Sequence, residues 1–105
     1  MEFREKLEEY VGEQLAGYAK YNEVPLGDVL HVVSIGVSIL ETKFPQIGPG
    51  YGGGGFVQAL LRNDLEATFA NADSTNRKYI LFYVQLHVNF SPYAIGYRLT
   101  DQEVQ

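Results

Sequence analysis

The stretch that decides the fold class is Tyr79 to Phe90, YILFYVQLHVNF. It is aromatic and β-branched, and in its second half polar residues alternate with apolar ones at a period of two, as in a strand. Residues Tyr93 to Leu99 follow the turn at Ser91-Pro92 and could pair with this strand. Under this interpretation the chain is α+β with a C-terminal hairpin over residues 79–99.

The same stretch can instead form a largely buried helix. Polar residues with N-cap chemistry precede it, namely Asp73, Ser74, Thr75 and Asn76. Its apolar side chains also suit a helix that is covered on several sides, as in an assembly of subunits. Periodicity alone leaves strand and helix open.

Three amphipathic helices are predicted before this stretch. The first covers about residues 2–20, the second begins near Pro25 and ends near Phe44, and the third covers about residues 56–72. The second helix is expected to bury one apolar stripe: Leu26, Val29, Leu30, Val33, Val37 and Leu40.

A glycine-crowded loop, GPGYGGGG, connects the second predicted helix to the third. Four consecutive glycines, Gly52 to Gly55, leave backbone N–H groups unshielded by a Cβ and permit positive φ, so the loop can wrap closely around a ligand. The helix start that follows adds unpaired N–H groups and the positive end of its dipole. Two interpretations stay open: an anion site and a flexible linker.

The amino-acid composition excludes several classes of protein. The 105 residues suffice for one domain, over residues 1–105, and 46% of them are hydrophobic. Eight Lys and Arg against thirteen Asp and Glu give a net charge of −5, which argues against phosphate-driven binding to DNA or RNA. No apolar run reaches the roughly 20 residues of a bilayer span, so no membrane partner is expected. Cysteine is absent, which excludes disulfides and thiolate sites.

Patterns that indicate catalysis are weak. The glycine loop satisfies GxGxxG only through its glycine density, without a preceding strand, and no Gly-Lys-Ser/Thr follows it. His31 and His87 lie on apolar segments, where a histidine is more often a hydrogen-bonded core or interface residue than a ligand. We therefore expect a protein that is not an enzyme and that carries neither a cofactor nor a metal.

Several residues between Tyr21 and Pro92 follow a known pattern. Its most specific part is Gly54-Gly55-Phe56-x-x-Ala59-x-Leu61-x-Asn63-Asp64-Leu65, followed by Phe69 and Ala72-Asp73-x-x-Asn76. Its weaker parts are Tyr21-Asn22-x-Val24-Pro25 and Asn89-x-x-Pro92. The pattern resembles that of small proteins of tailed bacteriophages, and among them the anti-CBASS cyclic-nucleotide sponge family. The chain departs from the family in its longer glycine loop, which has no lysine to meet a phosphate.

The resemblance implies an all-α fold, a compact bundle of about four helices with the glycine-rich loop before helix 3, so that the fourth segment is a helix. It also implies a non-catalytic sponge that sequesters a cyclic di- or trinucleotide signal of host immunity. Such a protein assembles into a homo-oligomer, a hexamer by family resemblance, and acts in the cytoplasm of the infected bacterial host.

Each candidate ligand-binding residue has a role under this interpretation. Tyr21 would stack on a base, and Asn22 would hydrogen-bond a base or a ribose. The phosphate would be enclosed by the loop: Tyr51, Gly52, Gly53, Gly54 and Gly55. Arg62 or Arg77 would add positive charge, and their spacing does not select between them.

A second class of function also fits the sequence. A protein-binding inhibitor or virion accessory protein would dock its exposed acidic face on a basic host surface, with the glycine loop as a hinge only.

Overall fold

The computed structural model describes residues 2–48 and 54–96, and within them the chain folds into α-helices and two short 3₁₀ helices, with no strand. The α-helices are Glu2–Ala19 (α1), Leu26–Lys43 (α2), Gly55–Leu61 (α3), Leu65–Asn71 (α4), Ser74–Lys78 (α5) and Ile80–Asn89 (α6), and the 3₁₀ helices are Pro45–Ile47 and Pro92–Ile95. The all-α prediction is confirmed, although the predicted number of helices, about four, is too low. No helix in the described part is both long and apolar enough to cross a membrane.

Helix α1 buries one stripe of side chains, as its helical spacing predicts. Leu7, Val11 and Leu15 are buried, and the acidic residues between them face outward. The helix packs against α2, α6 and the 3₁₀ helix that follows α6. The first helix is therefore predicted correctly in its extent.

Helix α2 contacts α1, α3 and α6 and lies at the centre of the fold. Pro25 is its N-cap, and Phe44 ends it, as the sequence predicts. The predicted stripe is wrong at Leu26 and Leu30, which are 90% and 84% exposed, whereas Val29 between them is partly buried against the core. The fully buried residues of α2 begin at Val32, so its first turns lie at the edge of the core.

The helix predicted over residues 56–72 is two helices, α3 and α4. Asn63 adopts a left-handed φ of 61°, the Asn63 N–H donates to the Leu60 carbonyl at 3.1 Å, and the Asp64 N–H donates to the Ala59 carbonyl at 3.0 Å. This pair of bonds ends α3 in a Schellman motif. Asp64 then caps α4, because its Oδ1 accepts the Ala67 N–H at 3.1 Å. The helical spacing of apolar residues continues without interruption across both helices, so periodicity in the sequence does not reveal this break.

The fourth segment is helical. Asp73 caps α5 by accepting the Asn76 N–H at 2.7 Å, and Tyr79 separates α5 from α6. The alternative hairpin over residues 79–99 is wrong for the described residues, because residues 80–89 form α6. The period-two pattern does not follow burial, since His87 is buried and Val88 is exposed.

Aromatic side chains join α6 to the rest of the core. Phe90 packs edge-on against Tyr10 and Phe44, with ring centroids 5.1 and 5.5 Å apart. Tyr83 packs against Phe56 of α3 at 5.7 Å. Edge-to-face aromatic pairs add to the stabilisation that burial of their area provides. The C-terminal helix is therefore part of one core with α1, α2 and α3.

A carboxylate is also buried in the core. Glu41 is 1% exposed, and its Oε1 accepts from Arg4 Nη1 at 2.9 Å, which connects the start of α1 to the end of α2. Its Oε2 would lie 2.6 Å from a Cβ at position 48, so this position has room only for glycine. Removing the Arg4 guanidinium would leave the buried Glu41 carboxylate without this partner, which is strongly destabilising.

Gly36 lies where α2 meets α1 and α6. A Cβ at this position would lie 2.7 Å from Val11 Cγ1 and 3.0 Å from Leu86 Cδ2. We expect Gly36→Ala to be less stable than Gly12→Ala by about 1–3 kcal/mol, the cost of overpacking a core. Gly12 of α1 has open space around it, so both alanines gain the same helix propensity and the difference isolates packing. Urea unfolding measures both variants, and equal stabilities would contradict a tight contact at Gly36.

Candidate functional site

A groove of about 490 Å³ lies between the C-terminal part of α1 and helix α6. We call it the α1–α6 groove. Two of the predicted ligand-binding residues, Tyr21 and Asn22, line it together. Helix α6 contributes its facing wall, which includes Gln85 and Asn89.

The turn after α1 holds Tyr21 and Asn22 in place. The Tyr18 carbonyl accepts hydrogen bonds from the Tyr21 N–H at 3.2 Å, the Asn22 N–H at 3.1 Å and the Asn22 Nδ2 at 3.1 Å. The backbone of Tyr21 is thus fixed, although its side chain is 87% exposed. Asn22 Oδ1 accepts no hydrogen bond from the described part of the chain. The turn therefore presents a flat aromatic face beside a hydrogen-bond acceptor.

The rest of the groove combines aromatic rings with amides. The rings of Tyr18 and Phe82 line it with their centroids 5.4 Å apart. Three side-chain amides line it too, and each can both donate and accept: Gln14, Gln85 and Asn89. Glu13 is the charged side chain among its described lining residues. The groove therefore suits a neutral, planar group with polar edges, which is the chemistry of a nucleobase.

The two predicted cations lie away from this groove. Arg62, at the end of α3, lines a different cavity together with Lys43 and His87. Arg77, in α5, donates from Nη2 to the Phe69 carbonyl at 3.3 Å and lines neither cavity. Within the described chain, neither arginine lines the α1–α6 groove beside Tyr21.

The glycine loop is described only in part. Tyr51, Gly52 and Gly53 lie outside the described residues. Gly54 is the N-cap of α3 with a φ of −91°, which any residue adopts, so the positive φ expected of the loop is not found there. A Cβ at Gly55 would lie 2.8 Å from Asn71 Oδ1, the end of an exposed side chain, so a larger residue there would require only this side chain to move.

A polar network that the sequence does not predict joins α2 to α5 and α6. Asn76 Oδ1 accepts from the Tyr83 hydroxyl at 2.8 Å and from His31 Nε2 at 3.1 Å. The Tyr79 hydroxyl donates to Asp28 Oδ2 at 2.7 Å. Burial first, and then this hydrogen bond, raise the pKa of Tyr79 to about 12, so the hydroxyl remains a neutral donor. His31 thus has the hydrogen-bonded role expected of it.

His87 is also hydrogen-bonded. Lys43 Nζ donates to the His87 carbonyl at 2.8 Å and lies 3.4 Å from His87 Nδ1. Burial, and after it the charge of Lys43, lower the pKa of His87 below its usual value. The described residues contain no group of three His, Cys, Asp or Glu that could hold a metal ion.

Comparisons with known protein families, with curated proteins and with solved structures found no match for this chain. The function proposed below is therefore inferred from the geometry of the cavities and from the resemblance in sequence.

The lowered pKa of His87 predicts a pH-dependent stability. The unfolded His87 takes up a proton near its ordinary pKa of 6.5, whereas the folded one stays neutral to lower pH. The free energy of unfolding should therefore fall as the pH is lowered through 6.5. Below the pKa of folded His87 the folded and unfolded chains are both protonated, so His87 causes no further fall. Urea unfolding between pH 7.5 and 5.5 measures the slope.

His87→Gln is the matched control for this measurement, because it keeps every other titrating group. The slope should be smaller in this variant than in the wild type. Identical slopes would show that His87 ionises equally well in the folded and unfolded chains.

Proposed function

We propose that this protein binds and sequesters a nucleobase-containing ligand without cleaving it, and that the ligand is a cyclic oligonucleotide signal of bacterial immunity. The observation that supports this proposal is the presence of Tyr21 and Asn22 together in the α1–α6 groove. Under the sponge interpretation of the sequence, Tyr21 stacks on a base and Asn22 hydrogen-bonds a base or a ribose. The amides of Gln85 and Asn89 face them from α6.

Such a groove would recognise a base in two ways. The exposed ring of Tyr21 would stack on its face, and the amides would pair with its polar edges, as in proteins that bind single-stranded nucleic acid. A sponge needs tight binding and slow release and no stabilised transition state, so it requires no catalytic group. The resemblance to phage sponge proteins supplies the ligand class and the infected host cytoplasm as the place of action.

The proposal includes a homo-oligomer. Apolar side chains on two helices are largely exposed in the single chain: Leu26, Leu30, Leu81 and Val88. Leu26 and Leu30 stand four residues apart and Leu81 and Val88 seven residues apart, so each pair shares one face of its helix, and an exposed apolar face often marks a protein interface. A second copy is the occupant that the resemblance suggests.

The ligand is tested by incubating the purified protein with a panel of cyclic di- and trinucleotides, removing free nucleotide, denaturing the protein and assaying what is released. We expect an intact nucleotide to be recovered. Tyr21→Ala should weaken its binding about tenfold to a hundredfold, because base–aromatic stacking contributes ~1–3 kcal/mol. Isothermal titration measures this change.

Glu8→Ala is the matched control, since Glu8 lies on the exposed face of α1 and does not line the groove. Its affinity should equal that of the wild type. Recovery of a cleaved nucleotide would mean an enzyme, and equal affinity for wild type and Tyr21→Ala would place the site elsewhere.

Self-association is tested by light scattering at micromolar concentration, where we expect a mass above that of the 11.8 kDa chain. Leu30→Glu or Val88→Glu should lower the mass, because a buried unpaired carboxylate opposes association. Ala70→Glu, on an exposed position of α4, is the control. A wild-type protein with monomer mass would contradict the proposal.

A protein-binding inhibitor is the second candidate. Helix α1 exposes a run of carboxylates, namely Glu5, Glu8, Glu9 and Glu13. This face would dock on a basic host surface. The nucleotide panel separates the two candidates, because an inhibitor of this kind retains none of the nucleotides.

A further inference from the structure

A second cavity, of about 530 Å³, lies where the C-terminal ends of α2 and α3 approach α6. Lys43, Arg62 and His87 line it, one from each of these elements, and we call it the cation pocket. It shares no residue with the α1–α6 groove. Its volume lies within the range of roughly 300–1,000 Å³ that is usual for small-molecule sites.

The charge of the cation pocket is opposite to that of the whole chain. The chain carries a net charge of −5, yet none of the described residues that line this cavity is a carboxylate. The carboxylate paired with Arg62 is that of Asp64, whose Oδ2 lies 3.8 Å from Nη2, with both side chains largely exposed. A long, exposed pair of this kind holds the guanidinium only weakly. Arg62 can therefore donate to a ligand.

Lys43 and His87 each keep one hydrogen-bond donor available for a ligand. The Lys43 ammonium has three hydrogens and no acceptor, and it uses two of them on the carbonyl and Nδ1 of His87. Its third hydrogen remains for a ligand. Because Nδ1 accepts from Lys43, the proton of the neutral imidazole is on Nε2, which makes His87 a donor as well.

A buried hydroxyl supplies an independent observation. Thr42 lines the same cavity, and its Oγ1 is buried without a hydrogen-bond partner in the described part of the chain. A buried polar atom without a partner costs free energy, so its presence beside a cavity points to a ligand that would satisfy it. A phosphate oxygen could accept from this hydroxyl.

From these four donors we infer that the cation pocket binds the phosphate group of a small phosphorylated organic molecule. Two cations and two neutral donors match a dianion with three terminal oxygens. The cavity is larger than a phosphate alone requires, and Leu61 gives it an apolar wall for the organic part. This site is independent of the function proposed for the α1–α6 groove.

The probe for this site is ribose 5-phosphate, with ribose as the uncharged control. The chain has only two histidines, so the NMR signals of their rings report on the site directly. Ribose 5-phosphate should shift the His87 ring saturably and leave the His31 ring unchanged, whereas ribose should shift neither. Equal shifts of both rings, or no shift, would overturn the inference.

Variants that remove one arginine charge test whether ribose 5-phosphate binds in the cation pocket. Arg62→Gln should weaken the binding of ribose 5-phosphate about tenfold, the effect of removing one charged hydrogen bond. Arg77→Gln removes the same charge from an exposed arginine outside the cavity and should leave the affinity unchanged. Equal weakening by the two variants would mean that only the net charge matters, and it would overturn the inference.

Two further variants distinguish the cation pocket from the α1–α6 groove as the phosphate site. Thr42→Val keeps the shape of the side chain and should also weaken binding, because it removes the buried donor. Tyr21→Ala should leave the binding of ribose 5-phosphate unchanged, even if it abolishes binding of a cyclic nucleotide. Loss of ribose 5-phosphate binding in Tyr21→Ala would assign the phosphate to the α1–α6 groove and contradict a site at Lys43 and Arg62.

Discussion

The close approach of α1, α2 and α6 at Gly36 is the constraint on which the rest of the fold depends. Val11 and Leu86 occupy the space that a side chain at this position would need. Leu86, which contacts Gly36 from α6, also lines the α1–α6 groove, so the groove begins beside this contact. The cation pocket lies near the C-terminal ends of α2 and α6. The cavities are therefore a result of how the helices pack.

The resemblance implies the all-α fold class and the helical spacing predicts the first helix, but neither predicts the helix boundaries in the second half of the chain. Alternation around His87 indicates a strand, yet the segment is a helix whose buried residues recur at helical spacing: Tyr79, Phe82, Tyr83, Leu86 and Phe90. Burial against α1, α2 and α3 outweighs local β propensity. The break at Asn63-Asp64 has a signal in the sequence, because Asn favours a left-handed φ and Asp is a strong N-cap.

The candidate sites are predictable from the sequence to a smaller extent. Tyr21 and Asn22 are neighbours in the chain, so a sequence can indicate them as a pair, but their facing amides at Gln85 and Asn89 come from α6. Lys43 gives no signal, and His87 is expected only to be a hydrogen-bonded core or interface residue, because the two lie far apart in the chain and meet only when α2 packs on α6. Arg62 is predicted, as an alternative to Arg77, to add positive charge to the ligand site, and in the structure it lines the cation pocket with Lys43 and His87. Residues that depend on tertiary contacts are those that sequence reasoning misses.

The turn between α3 and α4 is a local structure, whereas the cation pocket beside it depends on long-range contacts. Its hydrogen bonds join residues only a few positions apart, so it can form with little loss of chain entropy. Arg62 lies on this local hairpin, whereas Lys43 and His87 reach it through long-range packing. These three side chains converge only after the hairpin, α2 and α6 have all docked. The cation pocket therefore depends on long-range packing of these three parts of the chain, and the local hairpin alone cannot form it.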